Sequence, residues 1–260
     1  MPRISCRFFP HAFRGIASAF SFAATFPSPS KITAEVESSN IVGYQKITLP
    51  ENRMTIIGNQ FQVVGGGAIN IQDVTPNENF DVDGEDWLRT YDPLTGVYTS
   101  VIFLSEDNCG VEGGAWCDDN AEPVDFEINN GQGVWCKTVH ADSKVSFAGE
   151  IASVNTISLP VNRMTIVCNP LPMAVNIQDI APNENFDVDG EDWLRTYNPL
   201  TGVYTSVIFL SEDNCGVEGG AWCDDNAEPV DFDIAAGQGF WVKSVHEDAA
   251  LTFPTLPTAN

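Results

Sequence analysis

Side-chain oxygens alternate along the segment NENFDVDGEDWLRTY, which begins at Asn77 and recurs unchanged from Asn183. Asn79, Asp81, Asp83 and Gly84 match the first, third, fifth and sixth positions of a calcium loop of the helix-loop-helix kind, where alternate oxygens face one ion and glycine permits the sharp turn. The match then stops, because the eighth position is Asp86 rather than apolar and the twelfth is Thr90 rather than a bidentate Glu. A looser calcium site remains, built from Asn79, Asp81, Asp83, Glu85 and Asp86, with the cation relieving the repulsion between carboxylates. Its twin would use Asn185, Asp187, Asp189, Glu191 and Asp192. The competing reading is a solvated acidic turn that feeds a strand. Calcium is the one cofactor to which the sequence points.

Other chemistry finds less support. A glycoside hydrolase needs two carboxylates across a cleft, yet in a chain with 36 acidic residues any loop brings a pair together by chance. There is no G-x-S-x-G elbow, no H-E-x-x-H and no phosphate-cradling Gly-Lys loop. His140 and His246 stand at equivalent places beside Asp142 and Asp248 and read as turn residues rather than general bases. No catalytic residue is assigned, and the chain is expected not to be an enzyme. Aromatic residues offer a binding chemistry instead. Trp87, Tyr91 and Trp116, with their twins Trp193, Tyr197 and Trp222, are candidate platforms for stacking sugar rings; the alternative is that they fill the core.

The elements that would position these residues come from a duplication. Residues 76–133 match residues 182–239 at all but four positions: Asp92/Asn198, Glu127/Asp233, Asn129/Ala235 and Asn130/Ala236. Upstream, NRMTI and NIQD also recur, with the loop between them four residues shorter in the second copy. Two tandem domains of roughly 110 residues each are expected, 31–146 and 147–260, each large enough for its own core. Their local grammar is β. WLRTYDPLTGVYTSVIFL reads as strand, turn and strand, with Pro93 and Gly96 supplying the turn. Alternation places Val97, Thr99, Val101 and Phe103 on one face, and Tyr98, Ser100, Ile102 and Leu104 on the other. No window carries a sustained helical stripe. The expected class is all-β, two sandwich or barrel-like domains of short strands.

Cysteine placement points to an oxidised protein. Each copy holds NCGVEGGAWC, whose Gly-rich turn could bring its two cysteines together, so Cys109 is expected to pair with Cys117 and Cys215 with Cys223. Each closure would be worth roughly 2–3 kcal/mol. Cys136 stands where the second copy has Val242, and Cys168 where the first has Gly58. These two are expected to bridge the domains. The first thirty residues carry Arg3, Arg7 and Arg14, no acid and a short Ala- and Ser-rich apolar stretch, the pattern of a secretory signal. The expected location is therefore secreted, extracellular or at the cell surface.

A net charge of −24 repels nucleic acid and anionic lipid. No run of eighteen apolar residues is present, so no membrane span is expected. Hydrophobic residues nevertheless make up 43% of the chain, enough to bury a core.

The succession ISLPVNRMTIVCNPLP, INIQD, WLRTYNPLTGVY and AGQGFWVKSV resembles the tandem β-repeat modules of secreted bacterial surface proteins. There an opening strand and a Gly-x-Gly-aromatic-Trp closing strand bracket a Y-D-P-x-T-G-x-Y hairpin. The resemblance covers most of residues 31–260 and implies an extracellular, non-catalytic module without naming a ligand. Two roles fit it. One is a structural or surface protein that self-associates into a filament or layer by strand addition, with KITAEVESS as a donor strand. The other is a secreted carbohydrate-binding or adhesion module whose partner is a surface glycan.

Overall fold

The computed structural model describes residues 42–80, 84–152, 155–186 and 190–256 of the 260-residue chain. The expected signal segment and KITAEVESS lie outside the described residues, as do Asp81, Asp83, Asp187 and Asp189. What is described is all-β and antiparallel, and it belongs to one compact unit, Ser39–Asn260. Among the described residues the α-helices are single turns, Glu106–Cys109 and Glu212–Cys215.

Each repeat contributes a five-stranded sheet. In the first, the spatial order is Arg53–Gly58, Gly133–Thr138, Trp87–Asp92, Val97–Leu104 and Ala115–Cys117. The second repeats it with Arg163–Cys168, Gly239–Ser244, Trp193–Asn198, Val203–Leu210 and Ala221–Cys223. These segments are rich in β-branched and aromatic residues, which favour a pleated, half-buried surface. The hairpin forms as its turn residues require, with Gly96 and Gly202 at φ +73° and +71°.

One face of each sheet closes the core of its own repeat. Ile57, Leu88, Val101, Val134 and Cys136 pack there with Val145 and Phe147, which come from the strand Lys144–Ile151 of a smaller sheet. From Lys144 to Glu150 that strand pairs with Val42–Thr48, so the expected boundary at 146/147 falls inside a continuous strand. Trp116 is fully buried at the centre, edge-on to Phe80 and Phe103, and its indole N–H donates to the Val74 carbonyl at 2.7 Å. The NIQD motif builds this centre: Asn70 accepts from the Gln72 backbone N–H, and the Gln72 amide donates to the Trp116 and Val124 carbonyls. Trp222 and Gln178 repeat the arrangement.

The opposite face of each sheet meets the other repeat. Ile56, Trp135, Ile166 and Trp241 form a separate buried cluster, flanked by Trp87, Tyr91, Trp193 and Tyr197. The contacts are reciprocal. Tyr91 lies 5.1 Å from Trp241, and Tyr197 lies 5.1 Å from Trp135, both edge-on. The Gly58 N–H donates to the Gly237 carbonyl at 2.9 Å, and the Cys168 N–H donates to the Gly131 carbonyl at 2.8 Å. Such self-complementary pairing is the pattern of an isologous interface within one chain. Buried Gln60 adds a bond from its amide to the Asn169 carbonyl.

The expected disulfides are not formed: all six described cysteines are free thiols. Cys109 and Cys117 are hydrogen-bonded neighbours in a small apolar cluster, and so are Cys215 and Cys223. Each thiol is also directed at a backbone carbonyl, as with Cys117 and Ala115 at 3.5 Å. Cys136 and Cys168 do not bridge the repeats either. Strand alternation sends Cys136, with Val134, into the core of the first repeat, whereas Cys168 ends its strand at the seam, against Gly58.

Candidate functional site: twin aromatic cradles beside the seam

The seam-facing side of each sheet extends beyond the contact between repeats, and a row of large side chains lines that extension. In the second repeat Met164, Trp193, Arg195, Tyr204, Ser206 and Trp241 surround a hollow of about 300 Å³. Antiparallel register brings them together: Arg195 pairs with Ser206 on one side and Trp241 on the other. The Arg195 guanidinium lies 4.1 Å from the centre of the Trp193 ring, and its Nε donates to the Ser206 hydroxyl at 2.7 Å. In the first repeat Arg89 sits 4.2 Å from the Trp87 ring centre and donates to Ser100. The stack fixes a flat cation whose outer N–H groups remain available to a ligand.

Tyr98 and Tyr204 complete the cradles and are 45% and 46% exposed. Burial, followed by the neighbouring Tyr91, raises the Tyr98 phenol above its ordinary value; burial and Tyr197 do the same at Tyr204. Both therefore stay neutral, able to donate and accept a hydrogen bond. Sequence reasoning placed Tyr98 on the correct face of its strand but did not single it out. Its signal was the pairing with Tyr91 across a two-strand hairpin.

The expected stacking residues divide by burial. Trp87 and Trp193 lie in the cradles, half-buried beneath arginine. Tyr91 and Tyr197 are consumed by the seam. Trp116 and Trp222 are sealed in the cores and cannot reach a ligand.

The expected calcium ligands divide as well. Asp86 is fully buried and accepts from the Val139 N–H at 2.6 Å and the Thr138 hydroxyl at 2.8 Å. Thr138 in turn meets Ser143, which donates to the Asn79 carbonyl. Asp192 makes the same bonds to Val245 and Ser244. These carboxylates tie the acidic lead-in to the end of the closing strand. The Asn79 and Asn185 amides approach the Asp142 and Asp248 carbonyls, while Glu85 and Glu191 are exposed. Among the described residues no group of three His, Cys, Asp or Glu is placed to hold a metal.

Comparison with family models, with curated proteins and with solved structures finds no match.

Proposed function

We propose that this chain is a non-catalytic glycan-binding module that works outside the cytoplasm, its two sandwich-like repeats each presenting one aromatic cradle. The observation that carries the reading is the pair of half-exposed tyrosines, Tyr98 and Tyr204, each on the sheet face where an arginine caps a tryptophan. The cores are closed by Trp116 and Trp222, and Trp87, Trp193 and Trp241 pack at the seam, so Tyr98 and Tyr204 are the cradle aromatics left exposed to a ligand. Sugar rings present apolar C–H faces to aromatic rings and hydroxyls to guanidinium, serine and phenol groups, the combination found here. Two identical cradles favour a repetitive ligand, because engaging both converts the second binding event into an intramolecular one. The test is a glycan array probed with the wild type and with Y98A/Y204A. Binding to one glycan class that falls at least tenfold in the variant supports the reading; equal binding by both proteins, or none, sinks it.

A second reading is self-association into a filament or surface layer. Among the described residues the strand Val42–Thr48 pairs on one side only, and its Tyr44 is 63% exposed. An open edge of seven residues is a template for strand addition. Electron microscopy of purified protein separates the two readings. Ordered fibres support assembly, and dispersed particles that bind a glycan support the module.

A further inference from the structure

Of the four positions at which residues 76–133 differ from residues 182–239, Asp92 is far in sequence from the neighbouring Glu127, Asn129 and Asn130, yet all four meet in space. Two clefts flank the seam. The first, about 820 Å³, is walled by the hairpin of the first repeat and by Thr156–Pro160 of the second, and Asp92, Glu127, Asn129 and Asn130 all line it. The second cleft, about 540 Å³, is its counterpart and carries Asn198, Ala235 and Ala236 at the equivalent places. Asp233, one methylene shorter than Glu127, accepts from the Asn176 amide instead.

These differences are not needed for folding. The Asn129 N–H donates to the Gln132 side chain at 3.0 Å, and the Ala235 N–H makes the same bond to Gln238 at the same length. The turn is therefore made equally well by alanine. The Asn130 Nδ2 is buried at the first cleft with no hydrogen-bond partner. The Asn130 side chain as a whole is half-buried, so its rotation toward the cleft would let a ligand acceptor satisfy that amide. Beside the second cleft the Gln45 amide donates to the Ala236 carbonyl at 3.0 Å, and its Oε1, an acceptor rather than a donor, is buried without a partner. At the first cleft the corresponding Asn155 turns away to the Phe253 carbonyl.

We infer that the first cleft, and not the second, is a binding site for a short neutral saccharide. Asn130 needs an acceptor, whereas the Glu127 carboxylate and the lone pairs of Asp92 left over by Leu94 and Thr95 take donors; a hydroxyl supplies both. An ammonium ligand has no acceptor for Asn130, and an anion would face the two carboxylates. Leu94, exposed on the hairpin, and half-buried Ile157 give the apolar wall on which a sugar ring can lie. The inference rests on the glycan reading for its ligand class but uses a different site, so one chain would hold a single cleft ligand despite its two repeats.

The test is an amide NMR titration of the full chain with maltotriose, cellotriose, xylotriose and chitotriose. One of the four should shift the Asn130 side-chain and Gly131 backbone resonances. The exchange D92N/E127D/N129A/N130A, which installs residues the second repeat already folds with, should weaken that binding at least tenfold without changing the melting temperature. The reverse exchange N198D/D233E/A235N/A236N with Gln45→Asn should create a second site. Shifts confined to Trp87, Tyr98 and their twins would keep the cradles and overturn the cleft. Cleft shifts that persist in Y98A/Y204A, with silent cradles, would do the opposite. No shift at Asn130 with any of the four, or an exchange variant that binds as tightly as the wild type, overturns the inference.

Discussion

A Cβ on Gly58 would lie 2.2 Å from the Cβ of Cys168, so these two equivalent positions cannot both carry a side chain. They face each other where the reciprocal contacts of the seam converge, and the backbone there is equally close: the Gln132 carbonyl would be 2.8 Å from the same Cβ. In an interface between like surfaces only residues on the two-fold axis meet their own counterparts, and where that meeting is tightest the copies must differ. The unmatched cysteine is therefore a packing device rather than half of a bridge.

Gly58→Ala should destabilise the chain by about 1–3 kcal/mol, the usual cost of overpacking. For a domain of this size that lowers the melting temperature by roughly 2–12 °C. Cys168→Gly alone should cost less, and G58A/C168G should recover at least half of the loss, because removing the thiol frees the space. Urea denaturation of the four proteins in this cycle measures the coupling; additive losses would show that the two positions do not press on each other.

Asp86→Ala should be among the most damaging single changes in the acidic segment. It strips partners from the Val139 N–H and the Thr138 hydroxyl in a buried place, and each orphaned group costs about 1–3 kcal/mol. Changing the exposed Glu78 to Ala should move stability by less than about 0.5 kcal/mol. Equal effects of the two changes would contradict the bonding scheme.

Much of the strand framework was legible in the sequence, because alternation is enforced wherever one face is buried. Val101 and Phe103 do face the core and Tyr98 and Ser100 the opposite side. That both faces of Val97–Leu104 are apolar was also readable, and the reason is now visible: on the second face Ile102 and Leu104 pack into a small cluster of the same repeat with Cys109, Ala115 and Cys117. Burial of particular side chains was not legible. Asp86 looks like every other carboxylate in its run, and its partners Thr138 and Val139 lie more than fifty residues away. Trp116 and Trp87 are the same residue type with opposite fates, decided by which strand face each occupies. Cysteine spacing brought the thiols together, as the Gly-rich turn allows, without joining them. The four copy differences were plain in the sequence, but only the fold shows that they share a cleft.

Calcium should have little effect on stability, since Asp86 and Asp192 are already committed to buried hydrogen bonds. A site with a dissociation constant near 1 mM, at 1 mM calcium, stabilises by about 0.4 kcal/mol. The corresponding rise in melting temperature is about 1–2 °C. A rise of more than about 5 °C, reversed by a chelator, would instead establish the acidic lead-in as an ion site.

The thiols set the alkaline limit. Burial, with Cys109 beside it, pushes the Cys117 thiol up to about 11, and Cys223 beside Cys215 behaves alike. Burial also raises Cys136 and Cys168 above the ordinary value of 9.0. The folded state thus favours the neutral thiols over the thiolates. Their contribution is full below about pH 9 and is lost as pH rises through 11, where each ionisation also adds to a net charge already at −24. The urea midpoint should fall between pH 9 and 11 in the wild type and less steeply in C117S/C223S. Without reductant, alkylation after unfolding should label all six described cysteines, while in the native state Cys136 and Cys168, both fully buried, should stay unlabelled. A mass two hydrogens short for each eight-apart pair would show disulfides in their place and shift the alkaline transition away from Cys117 and Cys223.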